Sequence, residues 1–443
     1  MVESVNQAAV DDMDDDALRS YAQWYVDIEK DFLYAVQSFG LPMAESSGQE
    51  AVSASVASMA ARGLHVDNDG KSLWVNWISP SCIACRLGIS TETFLISTQC
   101  PRDCFFCFNP NQADYEHSKI HVNDVSGELK QRYDLGVPYE HIAVTGGEPL
   151  LHQEQTLDFL RTARMLYPKA RTRLYTSGFG LDGPCLDDLI QVGLDEVRFS
   201  VKLDDAPDEI EATLSKIESC TGRIGDVMVE MPVMPDRVDE MRELLVRLDS
   251  VGVSGVNLLE LCFPFHNAEA FARRGYQLKP VPYQVPYNYW YAGGVPVAYS
   301  EEACIDLLKF ALDEGLNMGL HYCSLENKLT GQVYQQNCPF ANKYSRFVMS
   351  VRDHFLKSVK IFGADASAAE TVLLASGETR WSRDVRYDFI EVHPEIVPTL
   401  ALAIPDAPVT ISYSIVEIRD GLPVLRELAI KRSTLRGFRI NDL

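Results

Sequence analysis

The chain has 443 residues, 46% hydrophobic and 23% charged, a globular balance with length enough for two or three domains. No apolar run approaches the roughly 20 residues of a membrane span, and the N-terminus MVESVNQAAVDDMDDD lacks the basic-then-apolar order of a secretory signal, so a soluble, cytoplasmic protein is expected. A formal net charge of −23 without a dense Lys/Arg run argues against nucleic acid as a partner.

In chain order, Asp14 to Asp16 supply N-cap and first-turn acids, and Leu18, Tyr21, Tyr25, Ile28, Phe32, Val36 and Phe39 recur at helical spacing. Gly40 and Pro42 stop that helix, and a second is predicted over 49–61. The stretch LHVDNDGKSLWVNW reads as a hairpin turning at Asp69-Gly70. From about residue 91 short apolar runs alternate with amphipathic helical stretches. The strand candidates are 93–97, 141–145, 173–176, 196–202, 226–233, 255–261 and 318–323, with helices such as 153–166, 208–220 and 237–248 between them. Such repeats require a parallel sheet, because parallel neighbours need crossovers.

The fold class expected is therefore α/β: a full or partial (β/α) barrel whose active site lies at the C-terminal strand ends. Residues 263–297, rich in Pro, Tyr and Gly, interrupt the rhythm as either a lid or a rigid packing segment. After 341 the pattern is that of a small α+β domain, with strands in VRYDFIEV, PVTISYSIVEI and VLRELAI and a turn at Asp420-Gly421. The expected segments are an N-terminal helical stretch (1–65), a hairpin and Cys-rich entry (66–90), the barrel (91–340) and the C-terminal domain (341–443).

Of eleven cysteines, five (Cys82, Cys85, Cys100, Cys104, Cys107) crowd into one stretch. In a long chain without an export signal these read as metal ligands or redox centres rather than disulfides. Cys100-Pro-Arg-Asp-Cys104-Phe-Phe-Cys107 follows the first barrel strand. Three thiolates this close can hold an iron–sulfur cluster, which normally takes four, leaving one iron open. Zinc would need a fourth ligand, and no His follows at finger spacing. Thr145-Gly146-Gly147-Glu148-Pro149 follows the second strand. Two glycines permit close backbone approach to a ligand, and a carboxylate beside them can neutralise an ammonium group.

C-x3-C-x2-C with Phe106 before its last cysteine, followed by GGEP, resembles the signatures of the radical S-adenosylmethionine (SAM) superfamily, over roughly residues 91–262. The resemblance implies that Cys100, Cys104 and Cys107 hold a [4Fe-4S] cluster whose open iron binds SAM. Reduction then cleaves SAM to a 5′-deoxyadenosyl radical that abstracts hydrogen from a substrate. It further implies Phe106 near the adenine and Gly146, Gly147 and Glu148 at the SAM amino group. Ser177, Ser200 and Lys202, at the ends of the third and fourth strands, would be further SAM contacts or else solvated strand ends. A low-potential donor such as flavodoxin or ferredoxin is implied as well.

On the substrate side, His321 to Lys328 place reactive groups at the end of the last barrel strand. Cys323 is a candidate hydrogen donor or covalent anchor, and Lys328 or Glu326 a candidate positioning group; a polar loop with one buried thiol is the alternative. Cys82, Cys85, Cys323 and Cys338 could form a second metal site. Cys185, Cys220, Cys262 and Cys304 are isolated and read as core packing. The substrate, whether small molecule, peptide or protein, is not specified by these motifs. The rival function is a non-catalytic iron–sulfur or zinc scaffold or redox sensor, for which the TGGEP motif would be idle.

Overall fold

The computed structural model describes residues 2–46, 48–112, 114–283, 285 and 293–443. The chain divides into two compact units, one of Phe39–Pro282 with Tyr289–Leu329, the other of Met1–Ser38, Tyr283–Asn288 and Thr330–Leu443.

The first unit is built on seven parallel strands: β1 (Thr91–Leu95), β2 (His141–Thr145), β3 (Arg171–Thr176), β4 (Glu196–Phe199), β5 (Asp226–Val233), β6 (Gly255–Glu260) and β7 (Gly319–Cys323). They lie side by side in sequence order. All seven fall where the apolar runs predict them, with ends shifted by up to three residues. The predicted hairpin forms as well, as His65–Asp67 and Ser72–Val75. It is not a separate entry segment: Ser72–Val75 pairs antiparallel with β7 and continues the sheet, because its Leu73 and Val75 enter the same core. Among the described strands β1 and His65–Asp67 are left as two ends, so the sheet is open and the full barrel is not closed.

The strands are two-faced. Phe94, Val144, Leu174, Phe199, Val229 and Val256 point to the crossover helices and form the core with them. Those helices start and stop as their sequences dictate. Gly183–Gln191 opens on Asp182, whose side chain accepts from Cys185 N–H at 2.9 Å, with Pro184 in the first turn. Val238–Val251 ends on Gly252 in the left-handed region at φ 83°. The short helix Pro80–Leu87, not foreseen from the sequence, carries Cys82 and Cys85.

The second unit centres on an antiparallel sheet. Pro408–Arg419 and Leu422–Thr434 form its long hairpin across Asp420 (φ 51°) and Gly421 (φ 76°), the positive pair a two-residue turn needs. Asp16–Gln37, expected in an N-terminal segment of its own, is grouped here instead. Its Tyr21 and Tyr25 hydroxyls donate to Glu427 at 2.7 and 2.6 Å, and Glu3–Ser4 adds an edge strand beside Lys431 and Arg432.

Of the Pro/Tyr-rich interruption, residues 284 and 286–292 lie outside the described residues, while Cys262–Phe263 pairs with Val295–Pro296. No helix among the described residues is long and apolar enough to cross a membrane.

Phe159, fully buried on Gln153–Leu166, packs its ring 5.2 Å from that of Phe94 and so seats β1. Phe159→Ala should cost about 3–5 kcal/mol, read as a lowered urea midpoint of the full chain.

Candidate functional site

The C-terminal ends of β1 and β2 continue into two loops that stay zipped together. Ile96 N–H donates to Thr145 O at 2.9 Å, Gly147 N–H to Ser97 O at 2.7 Å, and Glu148 N–H to Gln99 O at 2.7 Å. Glycine is required here. A Cβ on Gly146 would lie 2.5 Å from Ser97 O; one on Gly147 would run into Gln99 O and lie 2.6 Å from Thr98 O. The sequence reading gave these glycines to the close approach of a ligand. In the fold they admit the neighbouring loop.

Cys100 follows where that zipper ends, and the rest of the triplet turns back beneath it, with Cys107 N–H donating to Cys104 O at 3.0 Å. Side chains brace the turn from outside. His266 Nε2 lies 2.8 Å from Cys107 O, Asn267 Nδ2 donates to Phe105 O at 3.1 Å, and Asn109 Nδ2 to Gly146 O at 3.3 Å. Arg102 pairs with Asp205, and Arg274 lies 4.4 Å over the Phe105 ring. Phe106 meets Phe105 edge-on at 5.1 Å.

Cys100 is exposed, Cys104 and Cys107 half-buried. Burial pushes the Cys100 and Cys107 thiols up, and the neighbouring thiols add to this. Backbone N–H groups of Arg102 and Asn109 and the charge of Lys202 pull the other way. Three thiols that repel one another as anions, each within reach of a cationic or N–H partner or of the other two, are a donor set suited to a soft cationic core. Among the described residues no three His, Cys, Asp or Glu side chains are drawn into a closed metal cage, the triplet included.

Glu148 is fully buried, and its carboxylate is occupied. Leu150 N–H (3.1 Å) and Thr176 Oγ1 (2.7 Å) donate to Oε1; Ser177 N–H (2.7 Å) and Ser177 Oγ (2.6 Å) donate to Oε2. Glu148 and Ser177, each expected to face SAM, bond to one another in this structure and pin the β2 loop to the β3 loop. Ser200 is half-buried, its N–H donating to Thr176 O at 3.0 Å. Lys202 is also half-buried and, acting on Cys100 and Cys107, belongs to the triplet's surroundings.

Sequence reasoning missed the inner face of the sheet. Alternating with the apolar residues of β3 to β7 stand Arg171, Arg173, Tyr175, Glu196, Arg198, Glu230, Asn257 and His321. Arg198, 3% exposed, donates to Glu196 and Glu230, both at 2.6 Å. Asn257 donates to Glu230 at 2.7 Å and lies 3.0 Å from His321 Nδ1, whose Nε2 is 3.0 Å from Ser72 Oγ. Although burial opposes it, Arg198 and Arg173 hold the Glu196 carboxyl down at about 2. Burial, reinforced by Arg198, drives His321 down to about 3 and keeps it neutral. The signal was present in RTRLYT and EVRF, with charge at alternate residues, and in the lone Glu230 of VEMPV, in strands that a packed barrel would fill with apolar side chains.

Cys323 ends β7, buried, its Sγ accepting from Asn327 Nδ2 at 3.2 Å; burial pushes its thiol up to about 12. It is a protonated thiol, suited to giving a hydrogen atom and unsuited to acting as a thiolate anchor. Lys328, half-buried, acts electrostatically on Cys323, Cys262 and Glu230. Of the proposed second metal set, Cys82 Sγ already receives Arg198 Nη2 (3.2 Å) and Asn257 Nδ2 (3.3 Å). Cys82 and Cys85 both act on Cys323, whereas Cys338 is exposed and belongs to the other compact unit.

Residues 94–249 match the family model of the Radical SAM superfamily. A Methanocaldococcus jannaschii protein named for glycyl-radical enzyme activation is 29% identical over 209 residues, 45% of this chain and 54% of its own. The PqqA peptide cyclase of Gluconobacter oxydans is 30% identical over 105 residues, 24% of this chain and 28% of its own. The chain thus spans about half the length of the first and about a quarter of the second. The crystal structure of Streptococcus suis SuiB bound to S-adenosylmethionine aligns with TM-score 0.39 and 11% identity over 53% of this chain and 50% of that one.

Two outcomes are expected. Gly147→Ala should separate the two loops and lower both the unfolding temperature and the iron bound per chain on anaerobic loading. The second concerns acid. An unfolded histidine titrates near 6.5, while folded His321 stays neutral to about 3. The unfolded chain therefore takes up a proton that the fold refuses, and stability falls as pH drops from about 6.5 toward 3, with no effect above that window. His321→Gln should flatten the slope of unfolding free energy against pH by up to about 1.4 kcal/mol per pH unit there, measured by urea titration at stepped pH.

Proposed function

Starting from a radical SAM domain at residues 94–249, we propose that this chain is an enzyme that binds one [4Fe-4S] cluster through Cys100, Cys104 and Cys107 and uses it with SAM to begin radical chemistry on a substrate held at the inner face of the sheet. The observation that carries the reading is the seating of the triplet loop on Gly146 and Gly147, which puts the thiols, the GGE loop and the β3 loop at one end of the sheet. When bound, the cluster and SAM together supply a 5′-deoxyadenosyl radical.

The chain's own residues hold and sort. His266, Asn267 and Asn109 fix the triplet turn by bonds to its backbone or to the GGE loop, leaving the thiols free to ligate. Lys202 supplies positive charge beside anionic thiolates and, in the same place, can meet the SAM carboxylate. Glu148 contributes by anchoring the rim, which leaves the backbone carbonyls of the GGE loop and Ser200 as the polar contacts for SAM. Phe106 offers the adenine an aromatic edge. Deeper in, Arg198, Glu230, Asn257 and His321 present a fixed polar wall, with Cys323 and Lys328 above it. Such a wall orients a polar substrate and replaces bulk water around a reactive intermediate.

The relatives' names, glycyl-radical enzyme activation and PqqA peptide cyclisation, favour a protein or peptide substrate over a small metabolite. A flavodoxin- or ferredoxin-like donor would deliver the electron, and with a net charge of −23 its docking needs a local basic patch. The scaffold alternative is disfavoured, since it has no use for a GGE loop built against the triplet.

Anaerobically reduced protein given SAM should release 5′-deoxyadenosine, and chains carrying Cys104→Ala should release none. Iron counting should return about four irons per chain, about eight indicating a further cluster at the remaining cysteines. A loaded wild-type chain that binds SAM yet never yields 5′-deoxyadenosine would sink the proposal.

A further inference from the structure

Among the described residues five arginines carry a buried nitrogen with no hydrogen-bond partner: Arg86, Arg132, Arg173, Arg242 and Arg383. Arg132, Arg242 and Arg383 each hold a carboxylate through another nitrogen, namely Glu92, Asp306 and Asp388, and Arg86 Nη1 itself lies 2.7 Å from Asp67. Arg173 is different. It is 4% exposed, its Nε is sealed without an acceptor, and among the described residues its guanidinium has neither an ion pair within 4 Å nor a hydrogen bond.

The carboxylates that would be expected to serve it are already taken. Glu196 stands directly across from Arg173 in the β3–β4 register, yet Oε1 receives Arg198 Nε at 2.6 Å. Its Oε2 receives Ser79 Oγ (2.8 Å), Ser81 Oγ (3.1 Å) and Arg171 Nε (3.1 Å). Asp226 is held by Arg171, and Glu230 by Arg198 and Asn257. Arg171 and Arg198 thus occupy all three carboxylates of this wall. Around Arg173 itself are the face of Tyr175, 5.0 Å away, and on the β2 side Ala143 directly opposite, with His141 close enough to feel its charge. Glu196 attracts Arg173 through space, but a guanidinium withdrawn from water with no anion in direct contact is costly, and a fold retains it where something supplies that contact.

We propose that Arg173 is the anchor for a carboxylate of the substrate. The planar Nε–Nη edge of a guanidinium matches a carboxylate with two parallel hydrogen bonds. Arg173 lies four residues before Ser177, roughly 13 Å along β3 at about 3.3 Å per residue, so a carboxylate seated there leaves a substrate carbon some distance away free to lie under the rim. The inference rests on the reading of the inner face as the substrate's place. The acid can be a free dicarboxylate or the side chain of an acidic residue in a peptide.

The test titrates the full chain, anaerobically loaded with iron and sulfide, with sodium succinate, with an N-acetylated Gly-Asp-Gly amide, and with inorganic phosphate, each against sodium chloride at equal ionic strength. At tenfold excess over its dissociation constant a carboxylate should raise the unfolding temperature by about 2 °C, with phosphate giving no rise. A response to succinate alone identifies a free acid, and a response to the peptide identifies an acidic side chain. Arg173→Lys should weaken the response and Arg173→Met abolish it. In chloride alone Arg173→Met should unfold close to the wild-type temperature, because the buried charge it removes makes no hydrogen bond and no ion pair within 4 Å, only a through-space attraction to Glu196. The inference falls if neither carboxylate stabilises the chain, if phosphate alone does, or if the response survives in Arg173→Met. It falls equally if Arg173→Met in chloride unfolds several degrees lower, which would make Arg173 a structural partner of Glu196. The titration involves no turnover, so its failure leaves the 5′-deoxyadenosine test untouched, and the reverse also holds.

Discussion

The site depends on one contact between backbones, the loop after β1 lying directly on Gly146 and Gly147. Parallel strands in register end at one edge of a sheet, but that alone leaves their loops free to diverge. Here the hydrogen bonding of β1 to β2 continues past the strands through Ile96, Gly147 and Glu148, and it continues because two residues lack a Cβ. Cys100 is therefore placed by main-chain geometry, not by its own packing. Glu148 extends the same construction one strand further by gathering Thr176 and Ser177. Three strand ends become one rim, and the triplet sits on it.

Below the rim the sheet does something that stability alone does not favour. Arg198 with Glu196 and Glu230 forms a buried charged network, and a pair of that kind seldom outweighs the cost of desolvating it compared with well-packed apolar residues. Its value is shape. With every oxygen and nitrogen of Glu196, Asn257 and His321 committed to a named partner, the wall has a single arrangement to present, and no reorganisation is needed when a polar ligand meets it. The apolar face of the same strands supplies the stability, through Phe94, Phe199 and Val256 against the crossover helices.

Much of this was legible in the residues. The seven strands were marked by short apolar runs, and the triplet and GGEP by spacing alone. The face toward the helices is what made the strands visible, because its apolar residues carry the periodicity. The opposite face was missed because Arg171, Arg173, Glu196 and Arg198 look like solvated strand residues until the sheet is seen to curl them away from water. The structural part that Glu148 plays was hidden for a related reason. A carboxylate in a motif suggests a ligand, but whether its lone pairs are spare depends on Thr176 and Ser177, 28 and 29 positions away. The braces Asn109, His266 and Asn267 had no local signature. They act through backbone carbonyls, which any sequence supplies.

The cysteines sort themselves by surroundings, and the sorting bears on which can serve a metal. Burial raises the thiols of Cys262 and Cys323 to about 12 and those of Cys185 and Cys220 to about 11. Such groups stay protonated at neutral pH and behave as small hydrophobes or hydrogen donors. Cys82 is buried too, its sulfur already engaged by Arg198 and Asn257. The triplet is the reverse case. Cys100 is open to solvent and Cys104 and Cys107 half so; burial still pushes the Cys100 and Cys107 thiols up, but backbone N–H groups and Lys202 work against the rise. A sulfur must lose its proton to ligate, and of the sets the sequence offers, the one between Cys100 and Cys107 has solvent, backbone N–H groups and a lysine charge around it, whereas Cys82 and Cys323 are buried.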